Sequence, residues 1–184
     1  MKKHLTRLAA AAALLLATGV ASANTLTFQG VTFTTNAVDS DTLELTIDNA
    51  LSATGNWTGI NYLKSFEVKD IGTITGATLS GWTFSPNELN ASGCNGGVSG
   101  GACFVSSPAA SLTNHMVFDI DFTGTVDFSA PHLKVEFLTG LNDRKATGSL
   151  LSQTIPAVPE PQTYALLLAG LGAVGFVARR RKQH

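Results

Sequence analysis

Between Asn24 and Val158 apolar and polar residues alternate with a period of two, and no 3.6-residue apolar stripe is sustained. In Thr42–Asp48, Leu43, Leu45 and Ile47 share one face, while Thr42, Glu44, Thr46 and Asp48 share the other. In residues 115–122, Met116, Phe118, Ile120 and Phe122 lie opposite Val117, Asp119 and Asp121. In His132–Leu138, Leu133, Val135 and Phe137 are expected to point inward, with Lys134 and Glu136 outward. Residues 25–28, 31–35, 63–69, 77–84 and 102–106 also read as strands, and Gln29-Gly30 and Thr123-Gly124 mark tight turns. Short strands with one apolar face predict an all-β domain, an antiparallel β-sandwich of jelly-roll type. No internal repeat stands out.

Both ends break this alternation. Lys2, Lys3 and Arg7 precede an apolar run from Leu8 to Ala17, and Ala21-Ser22-Ala23 is a small-x-small site. That is the pattern of a secretory signal peptide over residues 1–23, with Sec export as its consequence and cleavage expected after Ala23. At the other end stand Val158, Pro159, Glu160 and Pro161, then fifteen uncharged residues from Tyr164 to Ala178, then Arg179, Arg180, Arg181 and Lys182. Fifteen helical residues reach about 22 Å, short of the ~20 residues that usually cross a bilayer core. Local thinning would hold such a helix in place, and the Arg cluster would stay cytoplasmic.

A Pro-Glu-Pro box, a short apolar helix and an Arg cluster closely resemble the PEP-CTERM sorting domain of Gram-negative surface proteins. The resemblance covers residues 159–184 with Val158 before them, and nothing in residues 24–158. It implies an exosortase-type processing protease as partner, passage through the inner membrane, and a final place at the cell surface or in extracellular matrix. Exopolysaccharide, the material of biofilms, is the further partner it implies.

Removing the two targeting segments changes the charge. The chain carries 12 Lys+Arg and 13 Asp+Glu; residues 24–158 keep 5 bases and 12 acids, a balance of −7. So acidic a domain is a poor partner for nucleic acid. At 135 residues it is long enough for one domain with its own core.

Cys94 and Cys103 are the two cysteines, set in a glycine-rich stretch. In an oxidising compartment such a pair is expected to bond, contributing on the order of 2–3 kcal/mol by closing about ten residues. A redox couple or a metal site are the alternatives, but the spacing is not Cys-x-x-Cys and no further soft ligand is evident.

Candidate chemistry is sparse. His115 and His132 each begin a strand, and no nucleophile elbow, phosphate loop or His-based metal motif accompanies them. No catalytic residue, cofactor or metal ligand is therefore assigned. Asp39 and Asp41, and Asp119, Asp121 and Asp127, read as solvated charge, with calcium as the alternative. Trp57 and Tyr62, among Asn56, Thr58 and Asn61, form the candidate ligand-binding loop, since sugar faces stack on aromatic rings. Trp57 as a core residue is the competing reading, and Trp82 reads as core. Three Thr-x-Thr pairs, at 25/27, 32/34 and 73/75, would set hydroxyls on one strand face, the basis of an ice-binding alternative. The expected function is a non-catalytic exported surface or matrix protein. A carbohydrate- or ice-binding module and, last, a secreted hydrolase are its competitors.

Overall fold

The computed structural model describes residues 23–148, 150–156, 168–172 and 179. Ten strands build it: β1 (Ala23–Phe28), β2 (Val31–Ala37), β3 (Thr42–Asp48), β4 (Tyr62–Lys69), β5 (Gly72–Thr78), β6 (Thr83–Asn87), β7 (Val98–Ser111), β8 (His115–Val126), β9 (His132–Leu138) and β10 (Leu151–Thr154). They form two five-stranded sheets, ordered β1-β2-β3-β8-β5 (sheet A) and β10-β9-β4-β7-β6 (sheet B). Every pairing is antiparallel. Two single-turn 3-10 helices, Ala50–Ser52 and Gly55–Trp57, carry the chain from sheet A to sheet B.

The period-two pattern explains the packing. Leu43, Leu45 and Ile47 of β3 meet Phe66 and Val68 of β4, Phe104 of β7, Phe118 and Ile120 of β8, and Leu133, Val135 and Phe137 of β9 in one core between the sheets. A slip of one residue in any of these strands would expose its whole apolar set, so burial fixes the register. Asn24 is buried at the start of β1, where its amide donates to the carbonyls of Phe128 (3.3 Å) and Ser129 (2.9 Å).

The all-β expectation is met, with two corrections, one to residues 77–84 and one to Glu136. Residues 77–84 are not one strand: the amide of Trp82 turns back to the carbonyl of Leu79, Gly81 takes φ +77°, and the chain leaves sheet A for sheet B. The described residues hold ten strands, and β10 folds back beside β9. Asp143 pins that connection, accepting from the Gly140 amide (2.6 Å) and the Thr139 hydroxyl (2.9 Å), and these bonds lower its pKa. Glu136 faces outward from the core yet is buried, since the loop carrying Gly93 covers it, a Cβ at Gly93 lying 4.0 Å from its Oε2. The short membrane helix expected from Tyr164 to Ala178 lies largely outside the described residues; among those described, no helix is long and apolar enough to cross a membrane.

Candidate functional site

The sandwich has two outer faces of opposite character. On sheet A the strand register lines up rows of polar side chains. Thr25, Thr34 and Thr46 continue to Val117; Thr27, Thr32 and Asp48 continue to His115; Asn36 and Glu44 continue to Asp119; Thr42 continues through Asp121 to Thr78. Hydroxyls link neighbours, with Thr27 and Thr32 3.0 Å apart and Thr25 and Thr34 3.4 Å apart. The Thr42 hydroxyl donates to Asp121 (3.0 Å), and His115 Nδ1 lies 2.7 Å from Asp48 Oδ1. Two of the Thr-x-Thr pairs thus come together, while Thr73 and Thr75 lie on β5 at the opposite edge of the sheet.

Charge is segregated between the sheets. The five strands of sheet A contain Glu44, Asp48, Asp119 and Asp121 and no Lys or Arg. All strand lysines, Lys64, Lys69 and Lys134, belong to sheet B. Glu44 stands directly opposite Asp119 across the β3–β8 ladder. Like charges in that relation destabilise a sheet.

The outer face of sheet B is sealed instead. After β6 the chain folds over β4, β7 and β9 and is tied down by the Cys94–Cys103 disulfide, whose Cα atoms are 5.8 Å apart. Leu89 packs under this flap with both half-cystines. The Leu89 amide donates to Glu67 Oε2 (2.9 Å), and Glu88 accepts from Lys134 (2.5 Å) and Lys69 (3.3 Å). Those two lysines, Lys134 first, lower the pKa of Glu88. Beneath lie two fully buried carboxylates. Glu136 accepts from the Ser65 hydroxyl and from Lys64 Nζ (3.2 Å); Glu67 Oε2 is 3.9 Å from Lys134 Nζ, and its Oε1 has no hydrogen-bond partner among the described residues. Glycine is needed at Gly96, where a Cβ would meet the Glu88 carbonyl oxygen at 2.7 Å. Three lysines balance three glutamates here, so the arrangement is a charge-neutral clamp rather than a cation site.

The aromatic loop is not a ligand surface as expected. Trp57 is 1% exposed and sits among Phe28, Phe33 and Phe137, with centroids 5.0–6.2 Å away. Its ring fills the end of the core, which leaves no face for a sugar. Tyr62 is half-buried at the head of β4, opposite Ser111 and Leu138. The polar neighbours are also engaged locally: the Thr58 hydroxyl donates to Gly55, and the Asn61 amide to Gly59 and Thr139. Trp82 packs against Phe66 and Phe118, as expected of a core residue.

One grouping imitates a nucleophile and base. His132 Nε2 is 3.0 Å from the Ser152 hydroxyl, Nδ1 is 3.3 Å from Thr154, and Asp70 lies 3.9 Å from Nδ1. A working triad stabilises an imidazolium through a hydrogen-bonded carboxylate. Here burial, and then Lys69, push the His132 pKa down, and Asp70 is beyond hydrogen-bond reach. These bonds hold β10 onto β9. At the β2–β3 turn, Asp39 accepts from the amides of Asp41 (3.0 Å) and Thr42 (2.8 Å); the Asp41 amide is first among the causes lowering its pKa, while Asp39 raises that of Asp41. No group of three or more His, Cys, Asp or Glu among the described residues could hold a metal ion.

Of the expected sorting residues, Arg179 is described and exposed; Val158, Pro159, Glu160, Pro161, Arg180 and Arg181 lie outside the described residues, as do residues 1–22 of the signal peptide. Comparison with known proteins bears on the tail directly. Residues 157–182 match the family model described as the PEP-CTERM protein-sorting motif. No curated protein matches the sequence. Among solved structures, an uncharacterized protein from Nocardia farcinica with an immunoglobulin-like fold aligns at TM-score 0.37 and 8% identity, over 72% of this chain and 81% of that one.

Proposed function

We propose that the chain is an exported, non-catalytic surface or matrix protein, released by cutting near Pro159-Glu160-Pro161 and retained with exopolysaccharide. The observation that carries this reading is the PEP-CTERM sorting motif at residues 157–182. It follows directly on the sandwich, whose last strand ends at Thr154. Ile155 is still buried, with its amide bonded to the carbonyl of Pro131. The box therefore begins four residues past the packed chain, counting from Ile155 to Pro159. Within the tripartite signal, exosortase supplies the cut and the Arg cluster holds the tail at the cytoplasmic side until it is made. The disulfide-tied flap suits an extracytoplasmic domain, since such bonds persist in oxidising compartments.

The test is fractionation of producing cells that carry wild type or Glu160→Ala. Wild type should accumulate in the surface or matrix fraction, and Glu160→Ala should stay in the inner membrane at higher mass. Equal distribution and equal mass of the two would contradict the reading.

A further inference from the structure

We propose that β1 is a self-association edge, across which two copies of the chain pair antiparallel and join their five-stranded sheets A into one continuous sheet. The sandwich has four edge strands, β1, β5, β6 and β10. Open edges invite pairing with other chains, and folded proteins guard them with bulges, proline, charge or short length. Three of these edges are guarded. β5 slips its register between Ile74 and Gly76, β6 slips between Ser85 and Asn87 around Pro86, and β10 has only four residues. β1 reads Ala-Asn-Thr-Leu-Thr-Phe and keeps one register with β2 along all six residues, without charge, proline, glycine or bulge.

The hairpin decides which backbone groups face outward. Gln29 and Gly30 alone join β1 to β2, at φ +49° and +84°. A two-residue turn of that kind makes Phe28 and Val31 a hydrogen-bonded pair, and such pairs alternate along an antiparallel ladder. Leu26 and Asn24 therefore spend their backbone groups on Phe33 and Thr35. Thr25 and Thr27 turn theirs to the open edge, where no described residue takes them. Buried Asn24, bonded to the Phe128 and Ser129 carbonyls, holds the start of the strand in place.

The occupant is a second copy because this edge is complementary to itself. With Leu26 on a two-fold axis, Thr25 meets the partner's Thr27, Thr27 meets the partner's Thr25, and each pair exchanges two backbone hydrogen bonds. The outer side chains then face Thr to Thr, as Thr25 already faces Thr34 and Thr27 faces Thr32. On the inner side Leu26 meets its own copy. Leu26 and Phe28 pack on the core but are only half-buried, so a second copy covers apolar surface left at the edge. Charge does not oppose the pairing. β1 and β2 carry none, and the acidic residues of the sheet A strands begin at β3. At about 4.8 Å per strand the two β3 strands stand about 24 Å apart, well beyond the screening length of about 8 Å in physiological salt. So short an edge buries less than a standard interface, which makes the association weak and concentration-dependent.

The experiment is sedimentation of the exported protein, recovered from producing cells, with hydrogen exchange on the same samples. Between about 10 µM and about 1 mM the average mass of wild type should climb toward twice the monomer. Over that range exchange at the Thr25 and Thr27 amides should slow about tenfold. Thr25→Pro removes an N–H that only the open edge uses, and an edge strand tolerates it there. Thr27→Lys puts a charge on the edge instead. Both variants should stay monomeric at the highest concentration, with Tm within a few degrees of wild type. Leu26→Cys should give an interchain disulfide under mild oxidation, and Thr75→Cys on β5 should not. A wild type that stays monomeric throughout overturns the inference. So does a dimer that leaves the Thr25 and Thr27 amides unprotected, or one that survives in a folded Thr27→Lys. Protection of those two amides at every concentration without a dimer would assign the edge to another segment of the same chain, and overturns it as well.

Discussion

Trp57 stands edge-on to Phe137, their ring centroids 5.0 Å apart, and so joins the turn after β3 to strand β9. The indole also meets Phe28 and Phe33 of sheet A edge-on, which makes it a bolt between the sheets. Trp57→Ala should cost about 3–5 kcal/mol, the loss of a buried aromatic plus the cavity it leaves. Tyr62→Ala, at a half-buried strand start, should cost about 1 kcal/mol. Urea unfolding of both variants checks this. A folded Trp57→Ala as stable as wild type would return the ring to the surface.

The flap over sheet B gives a second prediction. Thiol labelling of denatured, unreduced protein should find no free sulfur, since Cys94 and Cys103 are bonded. Replacing both by Ser should lower stability by about 2–3 kcal/mol. Hydrogen exchange should then quicken at the Leu89 amide, whose acceptor is Glu67. Unchanged exchange there would mean that the ionic contacts hold the flap without the bond.

Lys134 is the hinge of those contacts, reaching Glu67, Glu88 and the Leu89 carbonyl. Lys134→Met should destabilise by about 3 kcal/mol, because a buried carboxylate loses its counter-charge. Adding Glu67→Gln should recover part of the loss. A double variant that is worse by the sum of two independent losses would argue against coupling between the residues.

Acid should loosen β10. His132 holds the hydroxyls of Ser152 and Thr154, and its pKa is pushed down, first by burial and next by Lys69. The unfolded chain then takes up a proton at higher pH than the folded one. Stability from this group is complete above the ordinary His value of about 6.5 and declines as pH falls through it toward the lowered folded value. Thermal unfolding should shift down between about pH 7 and about pH 5.5, and His132→Asn should flatten that slope. An equal slope in the variant would assign the effect elsewhere.

The two-residue rhythm revealed most of the sandwich because burial on one face is what writes it. Thr42–Asp48 and His132–Leu138 have the bounds expected from alternation alone. What escaped was non-local. β10 has four residues, too few to show a period, and its place depends on the hairpin with β9. Glu136 alternates as an outward residue should, but only the flap shows that outward is not exposed. The binding loop misled because Trp57 lies between strands, where alternation is silent about burial. A tertiary contact with Phe137 decides it. The acidic face of sheet A was half visible: Glu44 and Asp119 were each assigned a polar face, but only the β3–β8 register makes them opposite one another.

Export with removal of the tail is the centre of the account, and the intact mass of protein washed from the surface of producing cells tests it most directly. The account predicts a chain that starts at Asn24 and lacks Arg179 to Lys182, its C-terminus lying near Pro159-Glu160-Pro161. A surface protein whose mass still includes the Arg cluster would contradict it.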